Sequence, residues 1–198
     1  MTSPNHQPPF QLAEYEALRA AIRERGTARI LLVPAVFVGW AALVIGQAAV
    51  ITMPALGTLV PLLVLAAAFE GVFALHLNVE RLGRYIQTFH EKTDEGWEHV
   101  AMAYSERFPG GGSDPLFARL FIFGASVNFF PAALSGLPME VIAIGACHFA
   151  FIYRVRRAQA AAKALRAEDL KRFEALRSAR PAAGAESGPA PDIERPND

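Results

Sequence analysis

Two blocks of the chain, Ile30 to Leu77 and Leu116 to Val155, are almost free of charged residues, and no other feature limits the fold as tightly. The hydrocarbon core of a bilayer is about 30 Å thick and takes about 20 apolar residues per helix, so each block is long enough for two spans and too long for one. Backbone amides in that core have no water to bond, which leaves helices as the spanning element for such runs. The expected fold is an all-α polytopic membrane protein. It has four transmembrane helices in two antiparallel hairpins, with helical cytoplasmic extensions.

The rest of the chain divides around these blocks. Residues 1–9 hold three prolines and few apolar groups, and read as disordered. Over 10–28, Tyr15, Leu18 and Ile22 recur at spacings of three and four, the pattern of an amphipathic helix that Gly26 is expected to stop. The first hairpin occupies 29–76, with spans over 30–50 and 56–76. Pro34 is tolerable in the first span where neighbours satisfy the carbonyl it frees. Segment 77–114 is cytoplasmic and continues the second span for about four turns. Val79, Leu82, Ile86 and Phe89 form its apolar stripe, with Glu80, Arg81, Arg84, Gln87 and Glu91 on the opposite side. Asp94 and Glu95 open a further short helix, since acids suit the positive end of a helix. Its apolar stripe is Trp97, Val100, Ala101, Tyr104 and Phe108, and Pro109 with Gly110, Gly111 and Gly112 ends it. The second hairpin, 115–154, begins where Ser113 or Asp114 caps a helix that has Pro115 in its first turn. Its last span continues into a charged helix over 155–180. Residues 181–198, rich in proline, glycine, alanine and acids, read as disordered.

Charge orients this arrangement and excludes some functions. Neither expected outer connection contains a lysine or arginine, so by the positive-inside rule both termini and segment 77–114 face the cytoplasm. Arginine outnumbers lysine 16 to 3, a bias of GC-rich bacterial genomes, and the expected location is the bacterial inner membrane. Lys+Arg and Asp+Glu are both 19, so no global basic field suits a nucleic acid. Cys147 is the single cysteine, which rules out an intrachain disulfide and a multi-cysteine metal site.

Ionisable and polar groups inside spans are costly and mark candidate sites. Glu70 lies about 9 Å inside the cytoplasmic boundary set at His76, while Asn128 and His148 lie about 15 Å deep, near the midplane. Converging between helices, the three would make a proton or ion relay, a site for a small polar substrate, or a hydrogen-bonded brace. No second acid at that depth favours the brace. His76 is expected at the headgroups, and its depth differs too much from that of His148 for the two to clamp one haem. At the cytoplasmic interface the candidates are His76, Glu80, Arg81, Arg84 and Trp97, with Glu80 and Arg84 forming an i, i+4 pair. His90, Glu95 and His99 have metal-ligating chemistry, and Glu95 shares a helix face with His99. No His-Glu-x-x-His pattern supports them, so a solvated acidic turn is the preferred reading. There is no Gly-x-Ser-x-Gly elbow, and the glycine triplet lacks the Gly-Lys-Ser/Thr of a phosphate loop. No catalytic residue and no cofactor is assigned.

The apolar stripes on the cytoplasmic helices need cover, so self-association or a membrane or cytoplasmic protein partner is expected beside the lipid bilayer. The expected function is a non-enzymatic scaffold or complex subunit that presents those helices. The alternatives are a proton, ion or small-solute transporter or channel subunit using Glu70, and a metal- or haem-binding membrane redox protein.

Overall fold

A chain segment without water must satisfy its backbone within itself, and the computed structural model meets that demand with helices. It describes residues 9–50, 54–91, 96–108, 114–135 and 137–179, among which there are six helices and no strand. They are α1 (Pro9–Val50), α2 (Pro54–Gly57), α3 (Leu59–Phe89), α4 (Trp97–Arg107), α5 (Ala118–Ala133) and α6 (Pro138–Ala179). Nearly all of the expected disordered ends, the turn at 51–53, Glu95, the Pro109–Gly112 stop, Ser113 and Gly136 lie outside the described residues.

The expected stop at Gly26 does not occur. α1 runs for 42 residues through both Gly26 and Pro34. An interior glycine costs a helix only about 1 kcal/mol relative to alanine, too little to end one that continues on both sides. Three helical stretches are long and apolar enough to cross a membrane: Phe10–Gln47, Ala55–Phe89 and Pro138–Ala179. α5, the expected third of four spans, is apolar but has only 16 residues. That is a rise of about 24 Å, less than the hydrocarbon thickness. Its start also differs from expectation. Asp114 is not the N-cap, which is Phe117, though its carboxylate accepts the N–H of Leu116 at 3.2 Å and of Arg119 at 3.1 Å. Phe117 sits at φ 51°, in the left-handed region, so the helix begins only at Ala118.

The side-chain pairs give the directions. Glu70–Arg154, Glu80–Arg166, Arg81–Asp169 and Thr88–Arg177 advance together along both helices, so α3 and α6 are parallel. Arg29–His76 and Glu14–Tyr85 run in opposite senses, so α1 is antiparallel to α3. Asn128–His148 and Phe129–Gly145 place α5 against α6.

Phe69 is the centre of the apolar half. Its fully buried ring meets Phe121 edge-on at 5.3 Å and Phe151 at 6.1 Å, with Leu65, Val72, Ala125 and Val155 in the same cluster. Gly124 of α5 makes room for α1 there. A Cβ at Gly124 would lie 3.0 Å from the Phe37 ring, so the missing side chain is what admits the aromatic.

Candidate functional site

Near the middle of the apolar half, two of the expected residues meet. Asn128 donates from its amide nitrogen to the carbonyl of Thr58 at 2.7 Å, and the same nitrogen lies 3.1 Å from His148 Nε2. His148 Nδ1 lies 2.9 Å from the carbonyl of Ile144, four residues back on α6. A carbonyl only accepts, so Nδ1 carries the proton and Nε2 accepts from Asn128. Both amide hydrogens and both ring nitrogens are thereby used, in a cluster that joins the start of α3 to α5 and α6 and is buried throughout. A proton added at Nε2 would point at an amide that already donates. Geometry of this kind braces helices. Replacing Asn128 with leucine is expected to cost about 1–2 kcal/mol, the worth of interhelical hydrogen bonds in a membrane protein. The check is thermal unfolding in mild detergent, where an unchanged transition would show that water satisfies Thr58 and His148 instead.

Glu70 is not part of that cluster. Its carboxylate accepts from Arg154 at 2.7 Å, and both side chains are open to the surroundings, at 49% and 42%. The Arg154 guanidinium also stacks over the Phe73 ring. Six helical residues turn through about 600°, so Glu70 and His76 face directions about 120° apart. The face carrying His76 is the covered one. His76 is buried at 4% exposure, where the expectation was an interfacial ring. Arg29 approaches its Nδ1 at 3.1 Å.

Below this level α1, α3, α4 and α6 exchange charges. Glu80 accepts two bonds from Arg166, at 2.8 and 2.9 Å, and lies 3.8 Å from Arg84, so the distant arginine is its nearer partner and the i, i+4 one the farther. Arg81 reaches Asp169 at 3.3 Å. Arg84 and Gln87, expected on the side of the helix opposite its apolar stripe, are buried because α4 folds over them. Arg84 donates to Gln87 at 2.6 Å and contacts Met102, while Gln87 meets His99. Burial, the largest influence, pulls the Arg84 guanidinium below its ordinary value, and Glu80 opposes it. Glu91 caps α4 by accepting from the N–H of Glu98 and of His99, at 3.0 and 3.3 Å. Arg19 of α1 closes the group on Glu98 at 2.8 Å.

The structure engages the two described metal candidates separately. His90 lies 3.6 Å from Glu14, and His99 faces Gln87. Among the described residues no three His, Cys, Asp or Glu side chains gather into a metal-holding group.

No family model, curated protein or solved structure matches this chain. The site therefore has to be read from its own chemistry.

Trp97, the last of the expected interface residues, shows where the polar contacts leave a gap. α4 turns Glu98, His99 and Met102 toward α3 and leaves Trp97, Val100, Tyr104 and Phe108 between 52% and 70% exposed. Its polar face is inside and its apolar face outside. Periodicity finds that stripe but not the partners that invert it. Arg29, Arg154, Arg166 and Asp169 were missed as partners because each lies 47 to 88 residues from the group it meets. Matching depths along the two parallel helices is the signal that pairs Arg154, Arg166 and Asp169 with their partners.

Proposed function

We propose that the protein is a multi-pass protein of the bacterial inner membrane, with four spans in two antiparallel hairpins and both termini cytoplasmic. It carries no chemistry of its own and holds a partner protein on its cytoplasmic helices. The observation that carries this reading is the apolar stripe of α4. α4 runs back along α3, with His99 beside Gln87 and Met102 beside Arg84. Its 11 residues rise about 16 Å in that direction. A headgroup layer is only about 5–8 Å deep, so a bilayer lying across α3 covers one end of the stripe and leaves Trp97 in water. Four large apolar side chains on one line suit a protein surface, where buried aromatics supply most of the binding energy.

The rival reading, an ion pathway through Glu70, is weakened by the exposed Arg154 pair. A relay carboxylate needs a buried position, and Glu70 has a neutralising partner at the surface of the bundle.

The test is a photo-crosslinking amino acid at Tyr104 in the full-length protein in native membranes. A crosslinked product of one defined larger mass is expected, and Trp97→Glu should abolish it. A copy of the same chain or a different protein are both protein occupants that the product's mass distinguishes. Only lipid adducts, or no product, would overturn the reading.

A further inference from the structure

Between α3, α6 and the turn before α5, at the level of His76, the structure has a cavity of about 160 Å³. Gln159, Ala162, Lys163 and Arg166 supply one wall, at positions i, i+3, i+4 and i+7 of α6, and His76 and Asp114 face them. The small side chain of Ala162 leaves the space open. A cavity of about 150 Å³ admits a benzene ring, so a phosphate group fits.

Half of the eight lining residues carry donors, His76, Gln159, Lys163 and Arg166, beside one carboxylate and three apolar side chains. Arg29 is donor-only, so His76 Nδ1 accepts from it and the neutral ring carries its proton on Nε2, a donor on a residue that lines the space. Lys163 is exposed and makes no ion pair among the described residues, and Gln159 adds an amide. Arg166 is held in place by its two bonds to Glu80. Two carboxylates oppose an anion. Glu80 is spent on Arg166, and Asp114 is turned to the N–H of Leu116 and Arg119. Counting Arg29, Lys163 and Arg166 against Glu80 and Asp114 leaves one positive charge in excess (three minus two).

The position matters as much as the charge. Arg154, Arg156 and Arg157 stand where the apolar surface of α6 ends, just after the exposed Tyr153. Gln159 lies five residues beyond Arg154, about 7.5 Å, within a headgroup layer, and Lys163 lies about 13.5 Å beyond Arg154, past that layer, with a long side chain of the kind that reaches back toward the interface. Basic pockets between helices on the cytoplasmic side are the kind that take phosphate headgroups.

We propose that this cavity is an anion site for a phosphate group, the headgroup of an anionic phospholipid or a free phosphate. Lys163 is its principal unpaired cation, with His76 Nε2 and Gln159 as neutral donors.

The full-length protein in neutral, lipid-free detergent tests it in two arms. In one, phosphatidylglycerol and phosphatidylcholine are titrated and bound lipid is counted by native mass spectrometry. In the other, inorganic phosphate is titrated by calorimetry. A preference for phosphatidylglycerol of about tenfold, lost in Lys163→Ala and kept in Lys163→Arg, with no heat from phosphate, assigns the site to lipid. Heat from phosphate that disappears in Lys163→Ala assigns it to a soluble anion. Lys163 is exposed, so neither variant should alter the unfolding transition. Equal binding of both lipids with no phosphate heat overturns the proposal. So does binding that neither Lys163→Ala nor Lys163→Glu changes.

Discussion

Replacing Glu80 with alanine is expected to destabilise the protein by about 3 kcal/mol or more, because it strands buried charge. The Glu80 carboxylate holds Arg166 through two bonds and faces Arg84, whose side chain is only 6% exposed. Without it, Arg84 keeps Gln87 and Met102 and only the weaker attraction of Glu98 and Glu91, and its Nε already lacks a partner among the described residues. A lysine in that position would escape by losing its proton. A guanidinium does not, so the cost is borne in full. Chemical unfolding in mild detergent measures the loss. Glu80→Asp, which keeps the charge on a shorter stem, should recover part of it. The double variant Glu80→Ala/Arg166→Ala should lose less than the two single losses summed, as contacting residues do. A loss below about 0.5 kcal/mol would mean that water screens the network as it does an exposed pair.

Phe69→Ala is the second large effect, also about 3 kcal/mol, for a different reason. Lipid tails are as apolar as the interior, so little transfer energy is lost when the ring goes. What is lost is contact. The rings of Phe121 and Phe151 close on Phe69 edge-first, and Phe73 stacks on it at 6.3 Å. A cavity opens among residues from α1, α3, α5 and α6, whose lining loses those contacts outright. Phe69→Leu, nearer in volume, should cost less than half as much. Equal losses for the two would show that the aromatic geometry and not the volume matters. A negligible loss from alanine would show that the helices collapse onto the gap.

Much of the architecture was legible in the residues. Charge-free blocks and period-3.6 stripes place α3 and α6 and carry each past the apolar zone as one helix. They fail where a decision depends on what lies opposite. Gly26 carries a stop signal, but a helix that is continuous on both sides overrides a cost of about 1 kcal/mol. Arg84 and Gln87 stand on the polar side of α3, and nothing in their own spacing says that α4 covers that side. Glu70 and His76 exchange their expected roles for the same cause. Depth along a span was readable from residue counts, whereas the rotation that exposes Glu70 and covers His76 depends on which faces α1 and α6 take. Asn128 and His148 were found because polarity deep in an apolar run stands out. Their common partner, a backbone carbonyl at Thr58, has no side-chain signature.

The unbroken length of α6 has a mechanical consequence. With 42 residues and no interruption at the edge of the apolar zone, it has no joint between its two halves. From Arg154 to Ala179 is 25 steps, an arm of about 37 Å, so a tilt of about 5° at Arg154 carries the far end through about 3 Å. α3 runs parallel to it and is pinned to it at Glu80, Arg81 and Thr88, so the two swing as one lever. Load applied to the far end is transmitted as torque on the apolar half.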